Sequence, residues 1–256
     1  DGDVILWLQG IAINSGMDVS IHEPDASPLQ ISGPKSGKLI QKLFKGEHDD
    51  LGYYKAKITT LEDIPMVIAR TGWSGELSYE LYLQDRTLGN KLFELVYKAA
   101  EEFNGRVIAP NNIRTIEGGI MSYGGDFGRE HNPYTIGLGR LVDVDQEVDF
   151  IGKEALKKIK ETGLTEKLVG LELDGEPITK APENFWPVNC NNNNKVGRVS
   201  RAFFSPRLEK NIALAIVDIE FANEGSKLIV ESPYGDLQSI VVSLPWFQAD
   251  KETHLD

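Results

Sequence analysis

Residues Arg70-Thr71-Gly72-Trp73-Ser74-Gly75-Glu76-Leu77-Ser78-Tyr79-Glu80-Leu81-Tyr82 decide how the rest of the chain is read. The apolar run Met66 to Arg70 predicts a strand that ends at a turn punctuated by Gly72 and Gly75, and Ser78 to Leu83 alternates as a second strand. Alternation sends Ser78, Glu80 and Tyr82 to one side and Tyr79 and Leu81 to the other, so a carboxylate and a phenol share one wall. Trp73, Tyr79 and Tyr82 offer flat faces for a planar ring or a cation, and the two glycines let the backbone make a tight excursion. A carboxylate in that setting can accept two hydrogen bonds from an aminopyrimidine edge. The same pattern equally describes a solvated glutamate beside a core tyrosine, which half-exposed strands carry routinely.

Upstream, a helix is expected from Asp3 to about Ile13, then a short strand at Asp18-Val19-Ser20-Ile21 and a loop punctuated by Pro24 and Pro28. Leu29-Gln30-Ile31 reads as a brief strand. Gly33-Pro34-Lys35-Ser36 opens a helix that carries Leu39, Ile40, Leu43 and Phe44 at helical spacing. Downstream, a helix runs from about Leu88 to Phe103. Arg114 and Glu117, three residues apart, share one helical face, a spacing that alone reads as a surface ion pair. Tyr123-Gly124-Gly125-Asp126 sets an aromatic group and a carboxylate around a glycine turn open to close approach by a ligand. Short strands mixed with helices make this an α+β domain, assigned to residues 1–160. A lysine-rich helix ends at Gly163, and from Lys167 to Pro245 short strands separated by turn residues predict a second domain, residues 161–256, built as a small β-barrel or sandwich. The asparagine run 191–194 reads as a loop tip.

Composition narrows the function classes. The 256 residues are 41% hydrophobic, enough for a large core and two domains, and 39 acidic against 27 basic side chains leave a formal charge of -12. Such a surface repels phosphate backbones and anionic lipid, so neither nucleic acid nor a membrane is expected as a partner. No apolar run approaches the length of a membrane helix, and a single cysteine, Cys190, rules out an intrachain disulfide framework, pointing to the cytoplasm. His22, His48, His131 and His254 are scattered, so no metal site is expected, and Cys190 in its polar run reads as an incidental thiol. The glycines form neither a dinucleotide nor a phosphate-loop fingerprint.

Taken in order, Arg70 to Glu80, Arg114 to Asp126, Phe150-Ile151-Gly152-Lys153-Glu154-Ala155-Leu156, Val196-Gly197-Arg198-Val199-Ser200, Ser205 to Ala215 and Val241 to Trp246 resemble the glycine-cleavage T-protein (aminomethyltransferase) family over nearly the whole chain. Trp73 stands where the glycine-cleavage enzymes usually carry tyrosine. Together with Glu23 to Gln30, Asn132 to Asp143 and Asn184-Phe185-Trp186-Pro187, it looks like the branch whose members demethylate a sulfonium. The resemblance implies a folate-binding domain followed by a barrel, and transfer of a methyl group from dimethylsulfoniopropionate to tetrahydrofolate, giving 3-methylthiopropionate and 5-methyltetrahydrofolate. It assigns Glu80 to the pterin edge, Arg114 and Tyr123 to the folate, and Trp73 and Tyr82 to the border of the reacting centre. It also implies that the family's N-terminal segment, which helps to wall the pocket, is missing before Asp1. Asp3 is then the nearest counterpart of a carboxylate used at that edge by the glycine-cleavage enzymes. Aminomethyl transfer and folate binding without catalysis remain open alternatives, as does a homodimer.

Overall fold

Alternating apolar and polar residues become strands only where a neighbour completes the hydrogen-bond ladder, and that condition sorts the segments of this chain. A computed structural model describes residues 2–190 and 194–250. They divide into two compact units, one of residues 2–72 with 78–107 and the other of residues 73–77 with 108–250.

The first unit contains helix α1 (Gly2–Ile13), strand β1 (Pro28–Ser32), helix α2 (Ser36–Phe44), strands β2 (Ala56–Leu61), β3 (Ile64–Ala69) and β4 (Ser78–Leu83), and helix α3 (Gly89–Glu101). The strands form an antiparallel sheet in the order β1-β4-β3-β2. β4 is therefore an inner strand, with Glu80 opposite Gln30 of β1 on one side and Ala69 of β3 on the other. The alternation read from the sequence holds: Tyr79, Leu81 and Leu83 are buried, whereas Glu80 and Tyr82 are half-buried on the opposite face. Ile31, Met66 and Ile68, with Leu39, Ile40 and Phe44 of α2 and Leu92 and Val96 of α3, complete this core. The apolar residues of α2 recur every three to four positions and so form one buried stripe.

Two features depart from the sequence expectation. Asp18 to Ile21 is irregular rather than a strand, because no neighbouring strand pairs with it and three of its four residues are exposed. Helix α1 forms as expected, yet Val4, Leu6, Trp7, Ile11 and Ile13 are all exposed on it.

The second unit contains α4 (Asn112–Glu117), α5 (Lys153–Thr162) and strands β5 (Glu166–Leu173), β6 (Trp186–Asn189), β7 (Lys195–Ser205), β8 (Lys210–Asp218), β9 (Lys227–Ser232) and β10 (Gly235–Val242). The six strands close a barrel in the order β10-β5-β8-β7-β6-β9, which decides between the barrel and sandwich readings. Val169, Leu171, Val188, Val199, Ala213, Ala215, Val217, Leu228 and Val230 are among the residues that fill it. Register shifts at Val188/Asn189 and Val199/Arg201 mark bulges that help the strands bend into closure. Gly170 of β5 leaves space for the Trp246 ring, since a Cβ there would lie 2.8 Å from it. A second cluster joins Ile116 of α4 to Leu168, Ile212, Leu214 and Ile216 on the outside of the barrel wall. Residues 191–193 of the expected asparagine loop tip lie outside the described residues. Among those described, no helix is long and apolar enough to cross a membrane.

Candidate functional site

In the first unit the candidate site is built on β4. Period-two alternation puts Glu80 and Tyr82 on the face away from the core, and the Tyr82 hydroxyl donates to Glu80 Oε2 at 3.2 Å. The Thr71 hydroxyl donates to the same oxygen. No described residue donates to Glu80 Oε1. Thr71 reaches the carboxylate because the backbone at Gly72 lies against β4, where a Cβ would fall on the Ser78 side chain, within 2.6 Å of its Oγ. Ser78 is in turn fixed by a 2.7 Å hydroxyl-hydroxyl bond to Ser32 of β1. Burial raises the pKa of the Tyr82 phenol above its ordinary value; the Glu80 charge and hydrogen bond add to the rise, and Thr71 opposes it. At neutral pH the phenol thus keeps its proton and acts as a donor.

In the second unit Arg114 lies on α4, whose N-terminus is capped by the Asn111 side chain, its Oδ1 accepting from the backbone amides of Ile113 at 2.9 Å and Arg114 at 3.3 Å. Arg114 Nη1 donates to Glu117 Oε2 at 2.7 Å, the pairing expected of the three-residue spacing. It is not a surface pair, however, since Glu117 has 0% of its surface exposed. The Ser205 hydroxyl donates to Glu117 Oε1 at 2.6 Å, and Arg207 Nη1 lies 3.5 Å from Oε2. Arg207 also pairs with Glu76 at 2.5 Å and stacks on Phe247, 3.7 Å from the ring centre. A fully buried carboxylate is thereby held by two arginines and a hydroxyl, with the arginine ends reaching solvent. Glu117 thereby fixes Arg114, whose side chain stays 37% exposed.

The remaining expectations fare differently. Trp73 is 50% exposed and Tyr123 is 52% exposed, the latter edge-on to Phe127 with ring centres 5.7 Å apart. The glycine turn at Gly124-Gly125 predicts an Asp126 open to a ligand. Instead it is buried, accepting from the Ser122 amide and the Ser200 hydroxyl, each at 2.6 Å, and from Arg201 at 2.9 and 2.7 Å. Its acceptor positions are consumed within the fold. The structure thus brings Glu80 and Tyr82 together in the first unit and places Trp73, Arg114 and Tyr123 in the second, with no hydrogen bond or ring contact joining any two of these three. Thr71, Glu76 and Arg207 were given no role by the sequence. For Thr71 a signal was available, a hydroxyl adjoining the glycine of the turn, while the parts played by Glu76 and Arg207 arise from a pairing 131 residues apart in the chain.

A cleft of about 310 Å³ in the first unit lies elsewhere, lined by Asp25, Leu29, Leu83, Arg86, Leu92 and Phe93 among others, and includes none of the expected site residues. Among the described residues no group of three or more His, Cys, Asp or Glu is placed to hold a metal ion.

Comparison with known proteins adds a lineage to this geometry. A family profile described as the GCVT N-terminal domain matches residues 2–146, and one described as the glycine cleavage T-protein C-terminal barrel domain matches residues 166–248. The chain is 34% identical over 235 residues to the dimethylsulfoniopropionate demethylase DmdA of Ruegeria pomeroyi, covering 92% of this chain and 63% of that protein. It is 29% identical over 247 residues to an aminomethyltransferase of Bacillus mycoides, covering 96% of this chain and 66% of that one. It thus spans just under two thirds of the length of these curated relatives, 63% and 66%. The crystal structure of glycine cleavage system aminomethyltransferase T from Bartonella henselae is similar in fold, with a TM-score of 0.84 at 18% identity over 96% of this chain and 66% of that one.

Proposed function

The chain belongs to the glycine cleavage T-protein family, and from that premise we propose that it serves a tetrahydrofolate-dependent demethylase acting on dimethylsulfoniopropionate. Residues 1–160 form its folate-handling domain and residues 161–256 its barrel domain. The observation that carries the folate reading is the Glu80 carboxylate, held through Oε2 by two protein hydroxyls while Oε1 has no donor from the described residues. An acceptor fixed in this way suits the N–H edge of a pterin. Within the second unit, Arg114, backed by buried Glu117, and Tyr123, with its exposed ring, are the residues that the family resemblance assigns to folate.

The sulfonium reading is supported by Trp73 and by an identity of 34% to the demethylase against 29% to the Bacillus mycoides aminomethyltransferase. In the proposed reaction the N5 lone pair of tetrahydrofolate attacks the sulfonium methyl carbon. The carbon-sulfur bond breaks with its electron pair going to sulfur, leaving the uncharged thioether of 3-methylthiopropionate, whose carboxylate keeps its negative charge, and N5 releases its proton to water to give 5-methyltetrahydrofolate. A sulfonium is already a good methyl donor, because a neutral thioether leaves, so the protein contributes alignment and exclusion of water, and no nucleophilic side chain is required. Exposed Trp73 offers a π face to the cation.

The test is formation of 5-methyltetrahydrofolate from tetrahydrofolate and dimethylsulfoniopropionate, assayed on this chain and on a version extended to the length of its relatives. Product from either supports demethylation. If neither yields product, and the extended version instead transfers an aminomethyl carbon from a lipoyl carrier protein to tetrahydrofolate, the glycine-cleavage activity replaces it. Folate binding without turnover leaves a binding module.

A further inference from the structure

Glu80 stands on an inner strand, where backbone pairing on both sides fixes its Cα but not the direction of its carboxylate. That direction is set by side chains. We propose that Thr71 is a positioning residue that aims Glu80, so that the site accepts heteroaromatic ligands through a donor-only edge at Oε1. This inference rests, as to the ligand, on the folate reading above; as to the side chains, it stands on the geometry alone.

A carboxylate oxygen has about two lone-pair sites, and Glu80 Oε2 receives two hydroxyl protons, from Thr71 and from Tyr82. Oε2 is thus filled by the protein, and Oε1, which no described residue engages, is the acceptor left for a ligand. A group offered to Oε1 must itself donate, as a ring N–H or an exocyclic amine does, and one that presents a lone pair there is repelled. Thr71 controls this more firmly than Tyr82, because the β-branched side chain has few rotamers and its backbone is pinned where Gly72 meets Ser78. Tyr82, two residues along the same strand as Glu80, has a longer lever and a 3.2 Å bond.

The experiment compares Thr71→Val, which keeps the shape and removes the donor, with Thr71→Ser, which keeps the donor. Crystal structures of the wild-type chain and both variants give the first readout. Glu80 is expected to hold one orientation in the wild type and the serine variant and to rotate away or split in the valine variant; an unmoved carboxylate in Thr71→Val overturns the proposal. The second readout is tetrahydrofolate affinity by calorimetry beside that of its 2-desamino analogue. Thr71→Val should weaken tetrahydrofolate about tenfold, Thr71→Ser less than about threefold, and the valine effect should shrink to about twofold for the analogue or in a Glu80→Gln background. An equal loss for both ligands in all backgrounds marks a merely structural role and also overturns the proposal. If the wild type binds no tetrahydrofolate while the carboxylate still turns in Thr71→Val, the folate reading fails and the positioning role stands.

Discussion

Glu117 and Glu80 are both glutamates that accept from protein hydroxyls, each within its own unit, yet their surroundings give them different tasks. Glu117 is sealed under Arg114, Arg207 and Ser205, so its replacement takes the acceptor from Arg114 and the Ser205 hydroxyl and leaves Arg207 with Glu76 alone. Glu117→Ala is expected to cost about 2–4 kcal/mol in urea unfolding, short of the largest values for buried pairs because both arginines can turn to water. Glu80 is half-buried, with one oxygen that no described residue engages, and is the residue proposed to meet the ligand. Glu80→Ala is expected to leave stability within about 1 kcal/mol of the parent and to weaken tetrahydrofolate binding by about 1–3 kcal/mol, measured by calorimetry; unchanged affinity would remove Glu80 from the site. His48 answers to pH instead. Burial lowers its pKa, Nε2 bonds Thr59 at 3.0 Å, and Nδ1 is buried with no hydrogen-bond partner among the described residues. Glu47, Asp49 and Asp50 pull its pKa up and Lys57 pulls it down, but burial prevails. The unfolded histidine takes a proton below about pH 6.5 while the folded one resists it, so stability is greatest above that pH and falls as the pH drops towards the lowered folded value. His48→Gln should flatten this decline in chemical unfolding between about pH 7 and 5.

Elements with a strong local period were legible in the sequence: the alternation of β4, the apolar stripe of α2, the end of α5 at Gly163 and the Arg114–Glu117 spacing all appear in the structure. What could not be read is what depends on distant residues. Asp18 to Ile21 alternates but finds no ladder partner, while Asp126, which sits in an open-looking glycine turn, is closed by Arg201 75 residues away. Thr71 was visible as a residue and silent as to role, since its reach to Glu80 depends on how tightly Gly72 approaches Ser78. The same approach makes the turn intolerant. Gly72→Ala should move the Thr71 segment off β4, destabilise the first unit by about 1–3 kcal/mol and lower tetrahydrofolate affinity more than Thr71→Ser does, as unfolding and calorimetry would register.

Across the whole molecule the distribution of burial predicts where the backbone opens. β5, β7 and β8 carry many of the fully buried barrel residues and are paired on both sides, whereas α1 exposes most of its apolar side chains. Hydrogen exchange followed by mass spectrometry is expected to find the slowest amides in β8 and the fastest helical ones in α1; early exchange throughout the barrel would contradict this ordering. The two units also differ in how they end their sheets. Closing the barrel leaves no strand with an unpaired side, but the open sheet of the first unit ends at β1 and β2. On β2, Ile58 is 80% exposed beside Lys57, an apolar side chain next to the charged residue type with which natural sheets guard their borders. Fibril growth or strand exchange between copies would therefore start at β2 rather than anywhere in the barrel, and losing the Lys57 charge would open the way to it.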